Sequence, residues 1–173
     1  GQIANTNAQI ISRELQQIGI DVFFHTCVGD NQHRITGVFQ TALGRSDVII
    51  FTGGLGPTRD DLTKETVSSC LKLPLVTDDF SMENLQRFFE MRGTTPTSNN
   101  YKQALIPQSS SAIPNKNGTA PGVLIEHEGK VIVLLPGPPF EMEPMLRETV
   151  LPYLAKNSHE IIYSRVMKFY GLG

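Results

Sequence analysis

The sequence predicts an α/β fold with a parallel sheet, and three observations support this. Apolar runs of strand length alternate with segments of helical spacing, an order that implies parallel strands joined by right-handed crossovers. The run Asp47 to Thr52 is apolar and β-branched without alternation, as in a strand covered on both faces. A glycine-rich loop, Gly53 to Arg59, follows that strand and opens a helix, the position at which open α/β sheets bind ligands.

The first third of the chain contains two predicted helices with a strand between them. The apolar residues between Asn5 and Gly19 lie roughly on one helical face, with Asn5 or Thr6 available as the cap before them and Gly19 as the terminator. Asp21 to Val28 is rich in valine and phenylalanine and predicts a strand, which ends at the turn Gly29-Asp30-Asn31. Ile35 to Leu43 has apolar residues at i, i+3, i+4, i+7 and i+8, which predicts a helix packed on one side of the sheet.

The middle of the chain continues the alternation and then becomes polar. Leu62 to Leu71 predicts a helix, Leu75-Val76 a short strand, and Asp78 to Arg92 a second helix. The pair Phe88-Phe89 has helical spacing, so we assign it to the core rather than to a ligand site. Gly93 to Gln108 is polar and predicts a long loop, a kind of segment that is usually functional or mobile.

The last third begins with a predicted hairpin. Gly122 to Glu126 and Val131 to Leu135 flank the turn Glu128-Gly129-Lys130. A helix with Met142 and Met145 in the core follows, and Pro144 requires that it start or bend there. We expect one domain over residues 1–155. The strand pattern of Ile161 to Phe169 then indicates the start of a second, incomplete unit over residues 156–173.

The composition excludes several classes of protein. The 173 residues carry 15 Lys and Arg against 17 Asp and Glu, a formal net charge of −2, so nucleic acid is not an expected partner. No apolar run approaches the length of a membrane span. Two cysteines, Cys27 and Cys70, have no CxxC spacing and favour a cytoplasmic protein with buried thiols. The four histidines lack zinc spacing, and no GxSxG serine motif occurs.

The glycine loop carries the strongest chemical signal. Gly53, Gly54 and Gly56 permit close backbone approach, and free N–H groups at a helix start attract a phosphate. The pattern is neither a Walker A loop nor GxGxxG. Asp60 and Asp61 would repel a phosphate unless a divalent cation stood between them, and Mg²⁺ is commonly held by one or two carboxylates plus phosphate oxygens. Helix capping by Asp61 and a dipole interaction of Asp60 explain the pair equally well.

Other loops are expected to reach the same edge of the sheet. Asp30 ends the neighbouring predicted strand and is a candidate second metal ligand or water-orienting base, although a plain Asx turn or a cap for the Ile35 helix is the commoner role. Gly118 to Gly122 and Leu135 to Pro139 can wall a nucleotide, or can be ordinary structural turns. The polar cluster Asn99, Asn100, Lys102 and Gln103 either reaches a ligand or is a solvated loop.

Six co-linear segments resemble the amino-terminal domain of the competence/damage-inducible CinA family, within the molybdopterin-binding superfamily that includes MoaB and MogA. The segments are Gly1-Gln2-Ile3-x-Asn5-Thr6-Asn7, Val28-Gly29-Asp30-Asn31, Gly53 to Thr63, Asn99-Asn100-x-Lys102-Gln103-Ala104, Gly118 to Gly122 and Leu135 to Pro139. The resemblance spans nearly the whole chain. It implies a three-layer sandwich with a mainly parallel sheet, whose first strand would precede Gly1, and small enzymes of this superfamily tend to form dimers or trimers.

The resemblance also implies an activity, a metal-dependent pyrophosphatase acting on ADP-ribose or a related nucleotide diphosphate. By motif, Asp30 and Asp61 match acidic positions around a Mg²⁺-nucleotide, and Gly53, Gly54 and Gly56 match a phosphate loop. Leu55 departs from the threonine usual in the molybdopterin enzymes, which favours the CinA branch. A carboxy-terminal deamidase domain, which many CinA proteins carry, is not part of this sequence, so we assign no deamidation to it.

The hypothesis from the sequence is metal-assisted hydrolysis of a P–O–P bond. Asp60, Asp61 and Asp30 would bind one or two divalent ions, Asp30 would also orient the water, and Lys64 or Lys102 would offset developing charge. The residues expected to bind the substrate are Gly53, Gly54, Gly56, Thr58, Asn100, Lys102, Gly118, Thr119, Gly122, Pro136 and Gly137. The alternatives are a molybdopterin-binding, adenylyl-transferring enzyme of molybdenum cofactor biosynthesis and a non-catalytic nucleotide-binding module.

Overall fold

A computed structural model describes residues 5–157 as helices packed on both faces of a mixed sheet. The helices are α1 (Thr6–Gln17), α2 (Gln32–Leu43), α3 (Thr63–Leu71), α4 (Asp79–Met91), α5 (Ser98–Tyr101), α6 (Pro139–Met145) and α7 (Leu151–Asn157). The strands are β1 (Val48–Thr52), β2 (Leu75–Thr77), β3 (Leu105–Pro107), β4 (Ser111–Ile113), β5 (Gly122–His127) and β6 (Lys130–Leu135). The predicted strand at Ile161 to Phe169 and the proposed second unit lie outside the described residues.

The main sheet has the strand order β1-β6-β5-β4, and β2 pairs with β3 in a separate antiparallel ladder. Within the described sheet only β1 and β6 run parallel, so the sheet is mixed rather than mainly parallel. The cause is the hairpin: Glu128 and Gly129 both have positive φ, 48° and 77°, and this tight turn makes β5 antiparallel to β6.

Two apolar cores lie on opposite faces of this sheet, which gives the expected three layers. On one face α1, α6 and α7 cover Val133 and Leu135. On the other face α2 and α3 cover Ile132 and Leu134. All four of these β6 residues are fully buried, so β6 is the strand covered on both faces. The strand β1, for which that cover was predicted, is only half-buried.

Most of the predicted helices are confirmed, and three of them begin at a polar side-chain cap. The Asn5 side chain accepts a hydrogen bond from the Ala8 amide at the start of α1, and Asn31 caps α2 in the same way. The Asp78 carboxylate accepts from the Ser81 amide at the start of α4. Each cap satisfies a donor that the first helical turn leaves free, which explains why these polar residues mark the helix boundaries.

The predicted strand from Asp21 to Val28 is wrong. The segment forms no strand and pairs with none of the strands within residues 5–157. Phe23 is 80% exposed, and the Phe24 ring lies under the Arg45 guanidinium at 3.6 Å. Cys27 is exposed as well, so the expectation of two buried thiols fails there.

The segment Gly93 to Gln108 is not one long loop. Thr97 and Asn100 form a capping box that starts the short helix α5, and a 3₁₀ turn follows. Leu105–Pro107 then pairs with Leu75–Thr77. These elements could not be predicted from the polar composition. They are only three or four residues long, and their stability comes from tertiary contacts.

Pro144 lies inside α6 and has a structural consequence on each side. It cannot donate the hydrogen bond that the Phe140 carbonyl would receive in a regular helix. The Asn117 side chain donates to that carbonyl instead, at 2.7 Å. After Met145 the chain forms a π-helical turn, Leu146–Val150, before α7 begins. The bend predicted at Pro144 thus takes the form of a local change from an α-helix to a π-helical turn.

Candidate functional site

The loops that follow the parallel strands β1 and β6 form the floor of a cleft. Thr52 and Leu135 are paired at the carboxyl ends of the two strands, and the Gly53 amide donates to the Leu135 carbonyl at 2.9 Å. A Cβ on Gly137 would come within 3.5 Å of the Gly53 Cα, so the two loops meet backbone to backbone. The cleft measures about 720 Å³, a size suited to a small molecule.

The structure brings eight of the predicted site residues to this cleft. They are Gly53, Gly54, Gly56, Asp61, Gly118, Thr119, Pro136 and Gly137. Seven others do not line it, namely Asp30, Thr58, Asp60, Lys64, Asn100, Lys102 and Gly122. The glycine loop and both Gly/Pro turns therefore converge as the sequence indicated, whereas the lysines and two of the three aspartates lie elsewhere.

The glycine loop is held against the start of α3 by contacts that leave no room for a side chain. Gly54 has a φ of +72°, and a Cβ there would overlap the Thr63 hydroxyl. The Thr63 amide donates to the Gly54 carbonyl at 3.2 Å. Leu55 is 4% exposed and packs into the core beneath α2 and α3, which anchors the loop from below. The Thr63 contacts and the buried Leu55 side chain thus set the position of the loop.

Asp61 closes this loop on itself. Its Oδ2 accepts hydrogen bonds from the Thr58 amide at 2.9 Å and from the Thr58 hydroxyl at 2.6 Å. Burial alone would raise the pKa of Asp61, but these bonds, with the Gly56 backbone and the nearby charge of Lys102, lower it below 3.8. Asp61 is therefore a carboxylate at neutral pH. It does not cap α3, because the cap residue is Leu62, which makes no side-chain capping bond.

Several backbone amides of the cleft have no protein acceptor within the described part of the chain. They belong to Gly54, Gly118, Thr119 and Gly137, which come from three different loops around the floor. Backbone N–H groups gathered in this way favour an anionic ligand.

Lys64 and Lys102 tie two loops together and do not line the cleft. Lys64 is 4% exposed, and its Nζ donates to the carbonyls of Lys102 and Gln103 at 2.7 and 3.3 Å. Lys102 Nζ donates in return to the Thr58 carbonyl at 2.6 Å. Burial, more than any neighbouring charge, lowers the pKa of Lys64 to about 8. The two predicted charge-stabilising lysines are therefore better described as positioning residues.

A second corner of the cleft is built around Gly118. A Cβ at this position would overlap the Glu141 carboxylate and the Asn115 amide group, so a larger residue would require both side chains to move. Glu141 Oε2 accepts from Asn115 Nδ2 at 2.6 Å, and the same nitrogen donates to the Ala120 carbonyl. Glu141 lines the cleft and was not identified from the sequence, since nothing in its local pattern separates it from other helical glutamates.

Part of the cleft wall comes from α4, and here the prediction of a core role for Phe88 and Phe89 is wrong. Both rings are half-buried and line the cleft, together with Arg92. The Arg92 guanidinium lies 4.0 Å from the centre of the Phe88 ring. Helical spacing does identify one face of α4, but it cannot tell whether that face meets the core or an open cleft.

Two further predicted binding residues have structural roles. A Cβ on Gly122 would lie 2.9 Å from the Leu134 carbonyl and 3.0 Å from the Met145 Cε, so this glycine serves core packing. The Asn100 side-chain oxygen accepts from the Thr97 amide and hydroxyl and completes the capping box. Neither residue needs a ligand to explain its identity.

No group of three or more His, Cys, Asp or Glu side chains that could share an ion occurs among residues 5–157. Asp30 and Asp60 are exposed and lie outside the cleft lining, and Asp61 is the predicted ligand that lies within it. One carboxylate can hold Mg²⁺ when ligand phosphates and water supply the remaining coordination positions, which is the usual arrangement for this ion.

The sequence profile described as "Probable molybdopterin binding domain" matches residues 1–156. The chain belongs to this molybdopterin-binding domain family. A relative from Thermoanaerobacter pseudethanolicus, named as a competence-damage inducible protein, is 56% identical over all 173 residues. A "CinA-like protein" from Dictyoglomus turgidum is 50% identical over the same span. The chain covers 42% of the length of the Thermoanaerobacter relative.

Two solved structures agree with the fold. The crystal structure of CinA from Thermoplasma acidophilum, whose function is described as unknown, superposes with a TM-score of 0.79. It is 36% identical, and the match covers 87% of this chain and 88% of that one. MoaB from Thermus thermophilus superposes with a TM-score of 0.57 at 22% identity, over 91% and 86% of the two chains. At that identity the likeness to MoaB shows the fold alone.

The resemblance found in the sequence is thus confirmed at the level of family and fold. Within residues 5–157, no helix combines the length and the apolar character that a membrane crossing needs.

Proposed function

We propose that this domain binds a nucleotide diphosphate, ADP-ribose or a close relative, and hydrolyses its P–O–P bond with a divalent metal ion such as Mg²⁺. The observation that carries the proposal is the junction of the β1 and β6 loops. Here backbone amides that have no protein acceptor within residues 5–157 surround a cleft next to ionised Asp61. Backbone amides at the carboxyl ends of parallel strands are a common phosphate site.

The charges of the cleft support a role for a cation. Its described lining contains two carboxylates, Asp61 and Glu141, and one cationic side chain, Arg92. A diphosphate placed beside these groups adds further negative charge, and a divalent ion between ligand and carboxylate would offset the repulsion. When bound, such an ion supplies Lewis-acid polarisation of a phosphoryl oxygen.

The residues of the chain then have separate tasks. The amides of Gly54, Gly118 and Thr119 would bind phosphate oxygens, and the Asp61 carboxylate would hold the ion. Lys64 and Lys102 keep the glycine loop in register by binding backbone carbonyls. In the overall step, water adds to one phosphorus, the bridging P–O bond breaks, and ADP-ribose yields AMP and ribose 5-phosphate. Fixed donors suit this reaction, because they need no reorganisation as charge develops.

The proposal is tested by incubating the domain with ADP-ribose, with and without MgCl₂. Chromatography then measures the AMP and ribose 5-phosphate that are released. Asp61→Asn keeps an oxygen that can accept from Thr58 but removes the charge, so we expect the fold to survive and the rate to fall by about 10² or more. Asp79→Asn, an exposed carboxylate on α4, is the matched control. An inactive wild-type protein would refute the proposal, and an active Asp61→Asn would remove Asp61 from it.

The family description favours one other ligand, a molybdopterin, which also carries a phosphate. The same amides could bind that phosphate, so the competing hypothesis is an enzyme that processes the pterin. Titration of the purified domain with molybdopterin and with ADP-ribose separates the two ligands by affinity. Binding of a nucleotide without turnover in any metal would instead favour the third hypothesis, a nucleotide-binding module.

We also propose a cytoplasmic homo-oligomer, a dimer or trimer, as the sequence resemblance implies. Light scattering on a sizing column measures the oligomeric state directly. We propose the same hydrolytic activity for this domain within the longer proteins that contain it.

A further inference from the structure

We infer that Phe88, Phe89 and Arg92 of α4 form a subsite for the planar base of a nucleotide. This inference rests on the proposed function, because it assigns one part of the proposed ligand to one wall of the same cleft. The amides at the floor would bind the phosphates, and the α4 wall would bind the base.

The first step of the argument is the position of the two rings. Phe88 and Phe89 are successive residues near the carboxyl end of α4, and both line the cleft. Leu85, one turn earlier, is fully buried and fixes this end of the helix in the protein. The rings meet edge to face, with centroids 5.8 Å apart and planes at 72°. The pair therefore has a defined geometry, which limits the entropy lost when a flat ligand binds.

The second step is the cation beside the rings. The Arg92 guanidinium lies 4.0 Å from the Phe88 ring centre, within the range of a cation–π interaction. No acidic partner of Arg92 occurs among the ion pairs of residues 5–157. Its charge is thus available to a ligand that carries both an aromatic ring and phosphate.

The third step is the contrast between the two sides of the cleft. The floor is backbone, with glycines from the loops after β1 and β6, and it suits an anion. The α4 wall is aromatic and cationic, a combination that recognises bases by stacking and is tolerant of base identity. A purely aliphatic ligand would gain nothing from Arg92, and a lone diphosphate would leave the rings uncovered. A nucleotide satisfies both sides.

The test compares AMP with ribose 5-phosphate. Both ligands contain a sugar phosphate, but only AMP carries a base. AMP and ribose 5-phosphate are titrated by calorimetry against the wild-type domain and its variants, without turnover. We expect wild type to bind AMP at least about fivefold more tightly than ribose 5-phosphate, the lower end of measured base stacking. Phe88→Leu should remove most of that preference and leave ribose 5-phosphate binding unchanged. Phe88→Tyr, which keeps the ring, should restore it.

The control is Phe80→Leu, the same substitution on an exposed ring of the same helix that does not line the cleft. Thermal melting of each variant shows whether it is folded, and Phe89→Leu replaces Phe88→Leu if the latter unfolds. Equal affinity of wild type for the two ligands, or equal loss of both in Phe88→Leu, would overturn the base subsite. Either result leaves phosphate binding, and with it the proposed function, intact. If wild type bound neither ligand, the base subsite would fall as well, and the hydrolysis assay with ADP-ribose would still decide the proposed function.

Discussion

Lys64→Met tests whether Lys64 is a buried structural residue, as the structure shows, or a solvent-accessible catalytic cation. Burial lowers the pKa of Lys64 from 10.5 to about 8. The unfolded chain therefore binds more protons than the folded one between these two values. The buried charge of this lysine lowers the free energy of unfolding at pH 7. That free energy therefore rises as the pH increases through this window.

The expected magnitude follows from the two pKa values. Between pH 7 and pH 9.5 the contribution of Lys64 to the free energy of unfolding should rise by about 2 kcal/mol. Higher pH adds a second titration, because burial and a hydrogen bond to Glu126 raise the pKa of Tyr153 to about 12. That group has the opposite sign, since its folded state keeps a proton that the unfolded state loses above pH 10. The measurement therefore ends at pH 9.5.

Urea unfolding followed by circular dichroism gives the free energies, because the chain has no tryptophan for fluorescence. The difference between wild type and Lys64→Met should shift by about 2 kcal/mol in favour of wild type from pH 7 to pH 9.5. Exposed Lys156, replaced by Met, is the control and should show no such shift. A difference that stays flat or falls with pH would refute the burial argument for Lys64.

Two further predictions concern the framework of the cleft. Gly54→Ala should lower the melting temperature, because the new Cβ would overlap Thr63 at a φ of +72°, whereas Gly37→Ala has open space in α2 and should stabilise by up to about 1 kcal/mol. A melting temperature unchanged in Gly54→Ala would contradict the proposed fit. Asn117→Ala removes the donor to the Phe140 carbonyl and should cost about 1 kcal/mol of unfolding free energy by urea titration; no cost would mean that water replaces it.

The sequence predicted the helices and the glycine loop because these features depend on local rules. Caps such as Asn5 and Asp78 and the spacing of Ile35 to Leu43 need no tertiary information. The same is true of the glycines at positive φ, such as Gly54. Strand ends that carry glycine also predict a cleft edge, and the structure places Gly53 and Gly137 together there.

The failures have a different cause, since each depends on a partner that local sequence does not reveal. Asp21 to Val28 has the composition of a strand but no paired neighbour among the described residues. Lys64 looks like a charge for catalysis until its carbonyl partners are known. Phe88 has core spacing, and only the position of α4 beside the glycine loops shows that its ring lines the cleft.

The most direct test of the account is a crystal structure of the domain with Mn²⁺ and a non-hydrolysable analogue of ADP-ribose. We expect the diphosphate on the loops after β1 and β6, with an anomalous Mn²⁺ peak between a phosphate oxygen and the Asp61 carboxylate. A ligand bound outside this cleft, or one seated within it with no ion near Asp61, would contradict the account.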